Sequence, residues 1–365
     1  MKPKIRSSVG VVKLDENIIE FFKGNTRESF TIKTNSEQIL KILNEMDGKN
    51  SLEDIKKKFN LDDESIEKII KLVELLISKN IVVDEDVRCR EIRNKYGRVL
   101  SMLEDYCSTE QQVLNAWDSI RNSQVIIIGL GTVGSWIAAT LVQSGVKNLT
   151  FIDPDIVDIS NIHRQWGYTE NDIGEYKTVI LKKRLLEIDD SLDIRSYNMN
   201  LEEGTLENII QGKIDLIINC ADKPTVDKTS EWVGEYGMEN NVPHIIGGGY
   251  NLHLSLIGQT VIPNKTACVK CFEIQLMERN QIEVSKMKKL ARQNRKIGSF
   301  GPMCSLAASF AATDAFKVLS KVISPTNVNR RGEYNINTMD IKYHYVEKLN
   351  DCPWCGHEGK YKGKE

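Results

Sequence analysis

The sequence predicts an α/β protein: a doubly wound parallel-sheet domain preceded by a small winged-helix-like α+β module. Three observations predict it. The apolar run Val125–Ile128 leads straight into Gly129-Leu130-Gly131-Thr132-Val133-Gly134 and an amphipathic stretch ending at Gly145, the pattern of a buried strand feeding a helix through a glycine turn. Strand and helix patterns then alternate as far as residue 247, which requires crossover connections and therefore parallel strands. The first 83 residues instead read as short strands followed by three helices.

Taken in order, Val9–Leu14, Ile18–Phe22 and Ser29–Lys33 read as strands separated by the turn segments Asp15-Glu16-Asn17 and Gly24-Asn25. Helices follow over Ser36–Met46, over Ser51–Phe59 and from Asp63, where Ile66, Ile69, Ile70, Val73 and Leu76 recur at helical spacing. Residues 84–123 are charged and read as linker helices, the second opening at Ser108 with Gln111 completing a capping box. Beyond Val125–Ile128 come a strand at Leu149–Ile152, a helix at Glu175–Glu187, a strand at Ile214–Asn219, a helix at Val226–Asn240 and a strand at His244–Gly247. The end is less regular: one strand over Leu254–Ile262, a small-residue helix over Cys304–Leu319 and strands between Tyr334 and Val346. The expected segmentation is 1–83, 84–123, 124–357 and a disordered tail, 358–365.

Composition excludes several classes. At 365 residues, 41% apolar and 27% charged, the chain can bury a sizeable core. Its 49 Lys and Arg against 51 Asp and Glu give a net charge of −2, no overall field for nucleic acid or an acidic membrane. No apolar run reaches membrane-spanning length and no secretory signal opens the chain, so a cytoplasmic protein is expected, without nucleic-acid or membrane partners. The basic segment Lys286–Lys296 lacks interleaved aromatics and reads as a solvated loop.

Gly129, Gly131 and Gly134 give the tight turn and close backbone approach that a phosphate needs at a helix N-terminus. Asp153 ends the next strand, where a carboxylate can accept from ribose hydroxyls, so an adenine nucleotide is expected. The segment Asp153–Gln165 and the following helix add Asp155, Asn161, Arg164, Gln165 and Lys177. Two cations and two amides beside the glycine turn suit the concentrated charge of a triphosphate better than a hydride carrier. Asp222, after the strand ending at Asn219, is the candidate Mg²⁺ ligand, with solvated Arg164 and Lys177 and a helix-capping Asp222 as the bland alternative. None of the five histidines is given a catalytic role.

Cys268-Val269-Lys270-Cys271 and Cys352-Pro353-Trp354-Cys355 are two CxxC pairs that together make a closed Cys₄ set, the donor set of structural zinc. Of Cys89, Cys107, Cys220 and Cys304, most are expected to be buried small apolar residues, Cys304 packing within its helix.

Over about residues 94–356, the glycine motif, Ser160-Asn161-Ile162-His163-Arg164-Gln165, Lys177, Asp222 and the cysteine pairs resemble, in order, the ThiF/MoeB adenylating domain of the ubiquitin-activating superfamily, Rossmann-like in fold. The resemblance implies ATP, Mg²⁺ and structural zinc as cofactors, and transfer of AMP to a chain-terminal carboxylate. It also implies that Arg98, within Asn94-Lys95-Tyr96-Gly97-Arg98, reaches the triphosphate of a second copy, hence a homodimer. Ala221-Asp222-Lys223-Pro224, Pro263–Cys268 and Ser299-Phe300-Gly301-Pro302 further resemble the MccB branch, which modifies a short ribosomal precursor peptide in antibiotic biosynthesis. The N-terminal module departs from that branch and looks more like a PqqD-type peptide-recognition element. Relatives that pass an acyl group to sulfur carry a cysteine after the first zinc pair, whereas 278–298 here contains none, so the implied product is an acyl adenylate or a nitrogen-linked nucleotide. The competing implied readings are activation of a ubiquitin-like sulfur carrier and a catalytically silent leader-peptide scaffold.

Overall fold

The computed structural model describes residues 1–251, 254–279 and 298–363, and the chain divides into two compact units, Met1–Asp118 and Ser119–Glu365. In the first, β1 (Pro3–Ile5) precedes β2 (Val9–Asp15), β3 (Ile18–Lys23) and β4 (Ser29–Lys33), which form an antiparallel sheet with β3 central. Three helices follow, α1 (Ser36–Leu43), α2 (Leu52–Lys58) and α3 (Asp63–Ser78), then β5 (Val82–Asp84), which returns to pair with β1. Ile19 and Phe21, one face of β3, pack with Ile42, Leu43, Ile55, Ile69, Val73 and Leu76 into one core, as period 2 on the strand and period 3.6 on the helices require.

Residues 84–118, segmented from the sequence as linker, belong to this same unit. They form α4 (Val87–Glu104) and the start of α5 (Glu110–Arg121). A buried ionic cluster ties them down. Lys4 bonds Glu85 at 2.9 Å and Glu104 at 3.2 Å, and Arg93 pairs with Glu104 and, at 3.1 Å, with Glu110. Burial beside Glu104 raises the Glu110 pKa. The cap of α5 differs from expectation: the hydroxyl that accepts from Gln112 N is that of Thr109, and Gln112 Oε1 accepts back from Ser108 and Thr109 N–H.

The second unit opens with β6 (Gln124–Ile128), α6 (Gly134–Gln143), β7 (Asn148–Ile152), α7 (Lys177–Leu186), β8 (Asp193–Tyr197), α8 (Thr205–Ile209), β9 (Leu216–Asn219), α9 (Val226–Glu239) and β10 (His244–Ile246). These five strands are parallel, in the order β8-β7-β6-β9-β10. This is the Rossmann arrangement, in which the order reverses beside the first strand. Ile126, Ile128, Ile152 and Ile217 pack against α8 and α9, while α6 covers the other face of β6 beside α7.

Beyond β10 come β11 (Gly249–Asn251), β12 (Leu254–Ile257), β13 (Gln259–Val261), α10 (Val269–Arg279), α11 (Gly301–Ser320), β14 (Arg330–Asn335) and β15 (Ile341–Tyr345). The single strand expected over 254–262 is broken at Gly258. There β12 joins the sheet β11-β12-β14-β15 and β13 adds antiparallel to β10. A Cβ on Gly258 would overlap the Ile246 carbonyl oxygen, so only glycine lets the chain change sheets there. The small residues of α11, Ala307, Ala308, Ala311, Ala312 and Ala315, are buried, and the helix packs on α6. The expected disordered tail is corrected over its described part. Tyr361 is fully buried, edge-on to Trp354 at 5.7 Å, and its hydroxyl donates to Glu235. The basic segment 286–296 lies outside the described residues.

His244 is wholly buried, and burial drives its pKa down to about 4. An unfolded chain protonates its histidine first, near pH 6.5. The contribution is therefore intact above about pH 6.5 and is lost as pH falls toward 4. By pH 5 this loss is about 2 kcal/mol. Urea unfolding at pH 7.5 and pH 5 is expected to record that drop, and His244→Gln to remove it; an equal drop in the variant would assign the effect to other groups.

Candidate nucleotide site

The carboxyl ends of β6 and β9 flank the point where the strand order reverses, the place where open α/β sheets form a ligand crevice. Gly129 leaves β6 with φ +84°, donates to Ile152 O at 2.8 Å and lies so close to Cys220 that a Cβ would meet its backbone at 2.7 Å. A Cβ on Gly134, the first residue of α6, would overlap Gly129 O. Gly131 differs: a Cβ there would find nothing nearer than Gln165 Nε2 at 3.8 Å, so its outer side is an open cradle. The turn thus presents backbone N–H groups at the positive end of α6, a helix whose first residues have no side-chain cap.

Asp153 directly follows β7 and is buried. It accepts from Leu130 N–H and, at 2.7 Å, from Asp155 N–H, which binds the glycine turn to the following loop. Burial raises its pKa. Asn161 is also buried, its side-chain oxygen accepting from Asp158 N–H at 3.0 Å. The segment beyond is fastened over α6: Trp136 Nε1 donates to Arg164 O at 3.1 Å, Ser135 Oγ accepts from Trp166 N–H at 3.0 Å, and Tyr168 donates to Leu130 O at 2.9 Å. The Arg164 guanidinium donates to Ser160 O, while its Nε and the Oε1 of buried Gln165 have no hydrogen-bond partner among the described residues. Two orphaned buried polar atoms beside an open glycine cradle fit a polar ligand with both donors and acceptors.

Lys177 is the first residue of α7 and only 4% exposed. A buried cation at the positive end of a helix is unfavourable unless an anion answers it. Its Nζ lies 3.0 Å from Asp155 Oδ2. Asp222 is exposed in the loop after β9. It is not a helix cap, because Thr225 caps α9 by accepting from Lys228 N–H. The structure therefore gathers Gly129, Gly131, Gly134, Asp153, Asp155, Asn161, Arg164, Gln165 and Lys177 around one strand end, with Asp222 beside the adjacent one. Arg98 belongs to the first unit, exposed on α4 just beyond the non-helical Tyr96. His163 is exposed next to Arg164. Lys223 is the site residue that sequence reading missed; its partner lies 68 positions away.

The four sulfurs of Cys268, Cys271, Cys352 and Cys355 are buried and lie within 4.8 Å of one another, with close pairs at 3.4, 3.6 and 3.8 Å. Thiolates about 2.3 Å from a tetrahedral zinc stand about 3.8 Å apart, whereas a disulfide brings sulfurs to about 2.05 Å. The set fits a closed structural zinc. Cys304 is fully buried, bonded to Phe300 O and beside Ser299, and burial raises its pKa, the behaviour of a packed thiol.

The sequence profile of the ThiF family matches residues 106–354. The sulfur carrier protein ThiS adenylyltransferase of Escherichia coli is 26% identical over 262 residues, 72% of this chain and 94% of that protein. Ubiquitin-like modifier-activating enzyme 5 of Dictyostelium discoideum is 28% identical over 193 residues, 49% of this chain; the match spans about half of that relative, 47%. Among solved structures, E. coli MccB with AMPCPP and MccA superposes with a TM-score of 0.71 at 21% identity, over 98% of this chain and all of that one. That likeness extends the shared fold across nearly the whole chain.

Proposed function

The chain belongs to the ThiF family, and on that premise we propose that it is an ATP-dependent adenylyltransferase acting on the C-terminal carboxylate of a short ribosomal precursor peptide. The observation that carries the reading is Lys177, a buried cation at a helix N-terminus that faces the carboxylate Asp155 beside the glycine turn. Backbone groups near Gly131 and Gly134 bind phosphate in the turn that Gly129 shapes, Asp153 orients the ribose, and Asn161 and Gln165 complete the nucleotide contacts. Arg164 and Lys177, with Arg98 from the second copy of a homodimer, neutralise charge as the peptide carboxylate attacks the α-phosphorus and pyrophosphate leaves. Asp222 suits Mg²⁺, which needs only one or two carboxylates beside phosphate oxygens and supplies further neutralisation.

The first unit, as peptide clamp, supports the choice of substrate. Its sheet β2-β3-β4 leaves one side of β2 and one side of β4 unpaired within that sheet, where an extended peptide can add as a strand. The solved MccB structure contains MccA, which makes a peptide the first substrate to test. No cysteine lies between 278 and 298, so the adenylate has no thiol acceptor in that segment. The second reading, activation of a ubiquitin-like sulfur carrier, is favoured by the 94% coverage of the ThiS adenylyltransferase.

The test is mass spectrometry of short peptides encoded beside the gene, and separately of ubiquitin-like sulfur carriers, each incubated with the full chain, Mg²⁺ and ATP. One peptide is expected to gain a nucleotide mass. Modification of a sulfur carrier alone would establish the second reading.

A further inference from the structure

Asp155 receives ammonium groups from two separate elements, the first residue of α7 and the loop after β9. Lys177 Nζ lies 3.0 Å from Oδ2, and Lys223 Nζ, from the loop after β9, lies 3.1 Å from Oδ1. Burial alone would raise the Asp155 pKa, but the two lysines outweigh it and hold the carboxyl below its usual range; the same bond raises Lys223. One carboxylate thus bonds two cations, with Asp153 close enough to act on both lysines and Asp222 on Lys223.

The two lysines are unlike. The Lys177 side chain is 5% exposed and that of Lys223 is 68% exposed. An ion pair between an exposed lysine and a half-exposed carboxylate is weak and easily exchanged. Lys223 also directly follows Asp222, so a lysine able to move and the candidate metal-binding carboxylate share one turn of chain.

We infer that Lys223 is a further triphosphate-binding residue, and that Asp155 is the counter-ion that competes with phosphate for it. The more exposed lysine serves the outer, more highly charged phosphates, while Lys177 serves the buried end. This rests on the reading of the cleft as an ATP site.

The test is calorimetric binding to the full chain of α,β-methylene ATP with Mg²⁺, and of AMP. Loss of one charge-assisted contact predicts about tenfold weaker triphosphate binding in Lys223→Met. AMP affinity is expected to stay at the wild-type value and Lys223→Arg to restore most of the loss. A loss of at least about tenfold is expected when Lys223→Met is made in an Asp155→Asn background, because no carboxylate at 155 then competes with phosphate for Lys223. Unchanged triphosphate affinity, an equal loss for AMP, or disappearance of the effect in the Asp155→Asn background overturns the inference. Failure of the wild-type chain to bind the triphosphate overturns the ATP reading with it; binding by wild type and Lys223→Met alike overturns the inference alone.

Discussion

Lys177→Ala and Asp222→Ala are each expected to lower ATP–pyrophosphate exchange by about a hundredfold to a thousandfold, the cost of removing one charge that stabilises the transition state. Neither change is expected to unfold the protein. Removing Lys177 relieves a buried cation at the positive end of α7 and leaves Asp155 paired with Lys223. Asp222 is exposed and Thr225 already caps α9, so its removal takes away no helix bond. The measurement is exchange of labelled pyrophosphate into ATP, with thermal melting as the check on folding. A variant that melts like wild type but keeps its exchange rate would remove that residue from the machinery; loss of both would show only that it supports the fold.

The parts legible in the sequence are those whose physics is local. Gly129 and Gly134 announce themselves because a strand, a turn without room for a Cβ and a helix follow within eleven residues. The buried apolar positions of β3 (Ile19, Phe21) and α3 (Ile69, Val73, Leu76) show their periods directly. β8 was missed because, at the sheet edge, only Ile194 of Asp193–Tyr197 is buried, and its remaining residues are polar or partly exposed. The break at Gly258 was missed because the residues on both sides of it read as strand, and the carbonyl that forces the turn belongs to Ile246, twelve positions away. Longer-range partners leave no trace: Lys4 finds Glu104 across 100 positions, and Tyr361 looks like a residue in a polar tail until Trp354 and Glu235 are brought beside it. The same holds in the site, where Lys223 reads as one more surface lysine until Asp155 is placed against it.

Metal removal is expected to act on the fold before the chemistry. Cys268 and Cys271 lie at the start of α10, and Cys352 and Cys355 lie 84 positions later, so the four sulfurs join the C-terminal segment to the body of the second unit. Around them Val261, Phe272, Val346, Trp354 and Tyr361 form one core cluster, which depends on that junction. Without the cation the four sulfurs take up protons as thiols and nothing draws them together, so the apo site loses both the bond and the packing. For a loss of about 5 kcal/mol, a unit of this size melts about 10–20 °C lower. Wild type is expected to carry one zinc per chain by metal analysis, and chelation under reducing conditions to lower its melting temperature by that amount. Cys352→Ser is expected to reproduce the shift, whereas Cys304→Ser, outside the cluster, leaves the zinc content unchanged. A preparation with no zinc that melts at the same temperature as the loaded one would show that packing alone holds the C-terminal segment, and that the four thiols are a reduced cluster rather than a metal site.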